Sequence, residues 1–179
     1  MNNKTRDLTI TAAYATLIFL GIQFFRIPMP AFTGAPFVHI GNALVLAGAL
    51  VLGMRRGTAA AVIGLIIFDL LNGYVTSIPQ VVIETLVVMA VTYLVYYRLL
   101  RGVPTTTNIV ITGIMAGLVK IVINFGVYMF KQMFLLNALF QTALVASIGS
   151  MGGTFFSAIF TVVLTPILVP IFTRILKRI

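Results

Sequence analysis

The chain has 179 residues, of which 60% are hydrophobic and only 8% charged, with a mean hydropathy of +1.13. A soluble domain carries about a quarter charged residues, so this chain has too little polar surface to cover a water-soluble globule, and an all-α integral membrane protein is predicted. The net charge of +9 would point to nucleic acid in a soluble protein, but here the basic residues, Lys120 apart, fall in loops and tails, as membrane topology requires. Cysteine is absent and histidine occurs once, which excludes thiolate chemistry and disulfides and nearly excludes a zinc site.

In chain order, a short basic tail precedes an apolar run from Leu8 to Phe25, long enough to span a bilayer core, which takes about 20 residues. Within it, Thr11/Ala15 and Ala12/Thr16 form two small-xxx-small pairs. Such pairs let helices approach closely in lipid, either a partner's helix or a neighbour within the bundle. Arg26–Val38 holds Pro28, Pro30, Gly34 and Pro36 and cannot be a regular helix. It reads as a loop that is either a plain connector or a lid, with Phe32 and Phe37 placed to cover a ligand.

Two short apolar runs follow, Ile40–Met54 and Thr58–Leu71, joined at Arg55-Arg56-Gly57 into a helical hairpin. Each arm reaches roughly 22 Å as helix, short of a 30 Å core, which suggests a recessed pocket or a locally thinned bilayer. A fourth span is expected over Gln80–Tyr97, with Tyr93, Tyr96 and Tyr97 as an interfacial belt, and a fifth over Asn108–Phe130. Residues 131–153 read as an outer loop or partial helix before a sixth span over Thr154–Phe172, which Pro166 and Pro170 would bend. The expected architecture is a compact bundle of six transmembrane helices forming one domain over residues 1–179. The first apolar run shows no small-residue cleavage site and is read as a span, not a signal peptide.

The basic residues orient the bundle. With both termini on one side, that side holds Lys4, Arg6, Arg55, Arg56, Arg98, Arg101, Arg174, Lys177 and Arg178, and the other only Arg26 and Lys131. This asymmetry predicts cytoplasmic termini and places the polar end of the hairpin outside.

Polar residues inside spans are costly in lipid and normally face a cavity or a partner. Lys120, Asn124 and Tyr128 share one face of the fifth helix at i, i+4, i+8. Glu84 lies about one turn inside the fourth, below Gln80, within reach of the lysine stem. These groups read as a polar ligand cradle, or Glu84 and Lys120 as a structural ion pair. His39 and Asn42 form one face at the outer start of the hairpin, as ligand contacts or as structural groups. Asp69 and Asn72 at its outer exit read as a solvated helix end, a hydrogen bond to a loop, or a ligand contact. Phe125 and Met129 stand beside the polar face of the fifth helix, where they could line a ring-shaped substrate. No GxxxxGK[ST] motif is present, so any energy source is expected in a partner.

The block HIGNALVLAGALVLGMRRGTAAAVIGLIIFDLLNGY, the Pro-rich first outer loop and six short spans resemble the substrate-binding S component of an energy-coupling factor (ECF) vitamin transporter. The block is similar to the HLGD…LG…G…G…AD…GY pattern of the branch with hydroxymethylpyrimidine and pyridoxine specificities, with Asn42 where an aspartate is common and Glu84 near a frequent lysine. The resemblance implies a multi-pass protein of the bacterial plasma membrane that captures a small heteroaromatic vitamin or precursor, hydroxymethylpyrimidine, a thiamine precursor or a pyridoxine-like ring. It implies substrate contacts at Glu84, Lys120, Asn124, Tyr128, His39, Asn42 and Gln80, and docking through Thr11, Ala12, Ala15 and Thr16 onto a shared transmembrane T subunit with two ATP-binding-cassette ATPases. No cofactor or metal is expected. The alternatives are another vitamin (riboflavin, pantothenate or folate), an intramembrane enzyme using Asp69, Glu84 and His39 as acid–base groups, and a purely structural membrane subunit.

Overall fold

The computed structural model describes residues 3–29 and 37–178. Among these, seven α-helices follow one another: α1 (Asn3–Phe24), α2 (Gly41–Leu52), α3 (Met54–Leu71), α4 (Ile78–Thr92), α5 (Thr106–Phe130), α6 (Phe140–Ser150) and α7 (Gly152–Leu176). α4 and α5 each run on into a π-helical stretch, Tyr93–Leu99 and Lys131–Leu135, closed by the wide Leu100 N–H to Val95 O and Leu136 N–H to Lys131 O bonds. Four stretches are long and apolar enough to cross a membrane: Asn3–Phe24, Val75–Leu99, Thr106–Leu135 and Gly152–Leu176. α2 has only 12 residues, and α3 carries Arg55, Arg56 and Asp69 within its 18. The six expected spans therefore divide into four long helices and the short α2–α3 pair. Within 131–153, where a loop or partial helix was expected, α6 forms with 11 residues.

α2 is the hub. It packs on α1, α3, α4 and α7, and Ala43 to Ala49 are all buried. A helix apolar on all sides can only be satisfied in a core, and GNALVLAGALVL has no polar residue after Asn42. Two tyrosines fix it by donating to its carbonyls: Tyr14 Oη to Leu44 O and Tyr97 Oη to Ala49 O, both at 2.9 Å. Tyr96 is buried beside α2, so of the three tyrosines expected at the interface only Tyr93 is exposed. A buried phenol finds its hydrogen bond inside the protein.

The turn of the hairpin lies at Gly53, not at Arg55-Arg56-Gly57. Gly53 has φ 82°, a region that favours glycine, and the two arginines begin α3. Arg56 donates through Nε to Leu52 O at 3.0 Å, satisfying a free carbonyl at the end of α2, and its Nη1 pairs with Asp7 on α1. Gly57 is packed on the returning helix: a Cβ there would stand 2.5 Å from Ala49 Cα and 2.7 Å from Gly48 C. Because those are backbone atoms, Gly57→Ala is expected to cost about 1–3 kcal/mol of stability. A lowered melting temperature of the detergent-solubilised variant checks this.

α5 and α7 meet through small residues as well. Gly113 and Gly117, a GxxxG pair, face Val162 Cα and Ala158 Cβ at 3.3 and 3.2 Å from their notional Cβ positions. α7 continues through Pro166 and Pro170 as one helix. Between α1 and α2, Ile27–Pro28 pairs antiparallel with Phe37–Val38. The proline-rich sequence did not announce this ladder, in which Pro28 occupies an edge where its missing N–H is tolerated. Phe32, the other expected lid residue, lies outside the described residues.

Candidate ligand-binding site

One cavity of about 260 Å³ opens between the α2–α3 hairpin, α4, α5 and the start of α7. Its floor is an ion pair. Glu84, 7% exposed, accepts from Lys120 Nζ at one carboxylate oxygen and from Asn124 Nδ2 at the other, at 2.9 Å. Asn124 Nδ2 also donates to Lys120 O at 3.0 Å, so one amide locks the carboxylate of α4 to the backbone of α5. This works because Lys120 and Asn124 lie one turn apart on the face of α5 that meets α4. Tyr128, one turn further out, continues that wall. Above it, Lys131 Nζ donates to Gln80 Oε1 at 2.8 Å, a second bond between the same two helices. Beneath the ion pair a chamber of about 30 Å³ is lined by Asn42, Glu84, Lys120 and Thr161 among others.

The opposite wall comes from the hairpin and its approach. His39 lines the cavity, and its Nδ1 accepts from the Gly41 N–H at 3.0 Å, which leaves Nε2 as the proton-bearing nitrogen. Burial first, and then the Lys120 ammonium, lower the His39 pKa, so the ring is neutral and a donor. Phe37, Phe68 and Tyr74 gather beside it, with ring centroids 5.7 to 6.0 Å apart, and the Arg26 guanidinium stands 5.6 Å from the Phe68 centroid. These are aromatic-pair and cation–π distances. They put an aromatic face opposite the polar floor.

All seven residues expected at the substrate, Glu84, Lys120, Asn124, Tyr128, His39, Asn42 and Gln80, line this one cavity. Asp69 lines it too and is 6% exposed, where a solvated helix end was one expectation. The signal was present in the sequence: the buried face of α3 runs Gly57, Ala60, Ala61, Gly64, Phe68, and Asp69 continues it. Asn72 turns away and donates to Gln23 Oε1 on α1 at 2.8 Å. Phe125 and Met129 are not among the lining residues, whose aromatic side chains are Phe37, Phe68, Tyr74 and Tyr128. Thr154 and Ser157 at the start of α7 also line the cavity, and nothing in their spacing had singled them out.

The two small-residue pairs of α1 separate. Thr11 and Ala15 are buried, and Ala15 O lies 2.6 Å from where a Cβ on Gly64 would sit, so this pair packs within the bundle on α3. Ala12 and Thr16 face outward.

Two of the three groups that acid–base chemistry would use here are already engaged. Glu84 is held by a lysine and an amide, and the His39 nitrogen that could act as a base is occupied by a backbone N–H. Among the described residues no three His, Asp or Glu side chains are grouped to hold a metal ion. No match was found among curated proteins or among solved structures. A family model described as "ECF-type riboflavin transporter, S component" matches residues 2–174. The chain therefore belongs to this family of S components, membrane-embedded vitamin-binding subunits of ECF transporters and not enzymes.

Proposed function

We propose that the chain captures a single-ring heteroaromatic vitamin or precursor, of the hydroxymethylpyrimidine or pyridoxine kind, in the cavity floored by Glu84 and Lys120. The observation that carries this reading is the cavity itself. Its volume, about 260 Å³, falls just below the roughly 300–1,000 Å³ usual for ligand pockets. It sets one aromatic face against a cluster of donors and acceptors, the arrangement that a flat ring with hydroxyl, amino or ring-nitrogen groups fills. The family's description favours a second reading, riboflavin, a larger molecule with three fused rings and a ribityl chain. Mass spectrometry of the denatured, purified protein tests the choice. A co-purified single-ring heteroaromatic supports the first reading, riboflavin establishes the second, and a molecule of neither kind overturns both.

In this reading the termini are cytoplasmic, the cavity faces out, and uptake is driven by a T subunit and two ATPases in the bacterial plasma membrane. The basic residues at the cytoplasmic end support that orientation. A cysteine placed at Arg55 or Arg101 should stay unlabelled by an impermeant thiol reagent in intact cells, and labelling of either reverses the topology. Of the four proposed docking positions, Ala12 and Thr16 offer a surface, and Thr11 and Ala15 shape the α1–α3 contact beneath it. Ala12→Leu should therefore abolish uptake and leave ligand affinity unchanged, because close helix approach needs small side chains. Uptake at the parent rate in that variant moves the docking face elsewhere.

A further inference from the structure

Two polar atoms in the walls of this cavity lack partners. Asp69 Oδ2 and Asn42 Nδ2 are both buried without a hydrogen bond, and both side chains line the cavity. Several polar groups around them are committed to one another: Lys120 and Asn124 to Glu84, Lys131 to Gln80, and His39 Nδ1 to the Gly41 N–H. A buried polar group left unpaired costs about 1–3 kcal/mol, and more when it is charged. Native structures keep few of them, and each one retained calls for an explanation, such as strain, a catalytic role, or a bound water or ion. Among the described residues six such atoms occur, and two of them belong to side chains that line this one cavity.

Their chemistry is complementary. Asp69 lies in the last turn of α3 and Asn42 in the first turn of α2, so the antiparallel hairpin brings both to its outer end. An ionised carboxylate only accepts, and the Nδ2 of an amide only donates. A ligand edge that satisfies both presents an N–H beside a ring nitrogen or a carbonyl, as an aminopyrimidine or a cyclic imide does. Neither group can be satisfied by a purely apolar ring, and a ligand with acceptors alone would leave Asp69 unpaired.

Resting on the binding-subunit reading above, we propose that Asp69 is a specificity-determining ligand contact: it accepts a hydrogen bond from an N–H of the ligand while Asn42 Nδ2 donates to the adjacent nitrogen or carbonyl. The site so described selects nitrogen heterocycles that carry a donor–acceptor edge. It reserves the Glu84–Lys120–Asn124 floor for hydroxyl substituents, and it gives Asp69 a role that the ion-pair cluster does not supply.

Equilibrium binding with matched probes tests the assignment. One pair is 4-amino-5-hydroxymethyl-2-methylpyrimidine against the same ring without its amine; the other is riboflavin against 3-methylriboflavin, which lacks the imide N–H. For whichever pair the parent protein binds, it should prefer the N–H-bearing member by roughly tenfold or more. Asp69→Ala should lose most of that preference, and Asp69→Leu, closer in volume, should lose it equally. Comparing the two ligands on one preparation makes the ratio independent of the folded fraction. A preference that persists in both variants overturns the assignment and leaves the functional reading standing. A parent that binds neither pair overturns the assignment; if it then binds pyridoxine, the functional reading survives, and if it binds none of these compounds, that reading falls as well.

Discussion

Glu84→Ala should destabilise the protein by about 3–5 kcal/mol, the largest effect expected of any single change in the cavity. The reason is what it leaves behind. Lys120 is mostly buried, its side chain 20% exposed, and its ammonium pairs with the Glu84 carboxylate. Without that carboxylate the ammonium is stranded in a low-dielectric interior, and Asn124 Nδ2 loses one of its two acceptors. The α4–α5 contact then rests on the Lys131–Gln80 bond and on apolar packing. Lys120→Met added to Glu84→Ala should recover much of the loss, because removing both charges is far cheaper than removing one. Chemical denaturation in detergent of the two single variants and the double variant measures the coupling. Equal losses that simply add would mean that the pair contributes no interaction of its own.

Asn124→Ala should weaken ligand affinity roughly tenfold or more, with a smaller effect on stability. Asn124 carries no charge, so its loss strands nothing as costly as an ammonium. What it removes is orientation: its amide is the strut between Glu84 Oε2 and Lys120 O. A carboxylate free to rotate loses the fixed geometry on which recognition depends. Titration calorimetry on the variant checks the affinity, and a melting curve on the same preparation separates it from unfolding. Unchanged affinity here, together with loss at Asp69, would move the recognition site to the Asn42–Asp69 end of the α2–α3 hairpin.

The helices were legible where a strong periodic or apolar pattern had no competitor. α5 shows itself in a long apolar run with Lys120, Asn124 and Tyr128 on one face, and those three residues converge on one cavity with Glu84 and Gln80. Where the pattern was ambiguous, tertiary packing decided. Tyr96 and Tyr97 carry the signature of an interfacial belt, yet α2 needed hydrogen-bonding partners along its sides and the hydroxyl of Tyr97 supplies one. Gly57 reads equally well as a turn residue and as a packing residue, and only the approach of Ala49 tells them apart. Gly53, which carries the positive φ, offers the same sequence signal as its neighbour four residues on. The pairing of Ile27–Pro28 with Phe37–Val38 depends on partners nine and eleven residues apart, which no local propensity reports. Asp69 was obscured for another reason: its position next to a helix end suggests solvent, and its burial follows from the register of the whole α3 face.

We propose a single-ring heteroaromatic vitamin or precursor as the ligand of the cavity between α2–α3, α4, α5 and α7. Calorimetric titration of the purified, detergent-solubilised protein with 4-amino-5-hydroxymethyl-2-methylpyrimidine, pyridoxine and riboflavin in parallel addresses it most directly. Saturable one-to-one binding of one of the two small rings, submicromolar and much tighter than riboflavin, is the predicted result. Riboflavin binding tighter than either small ring, or no binding of any of the three, contradicts it.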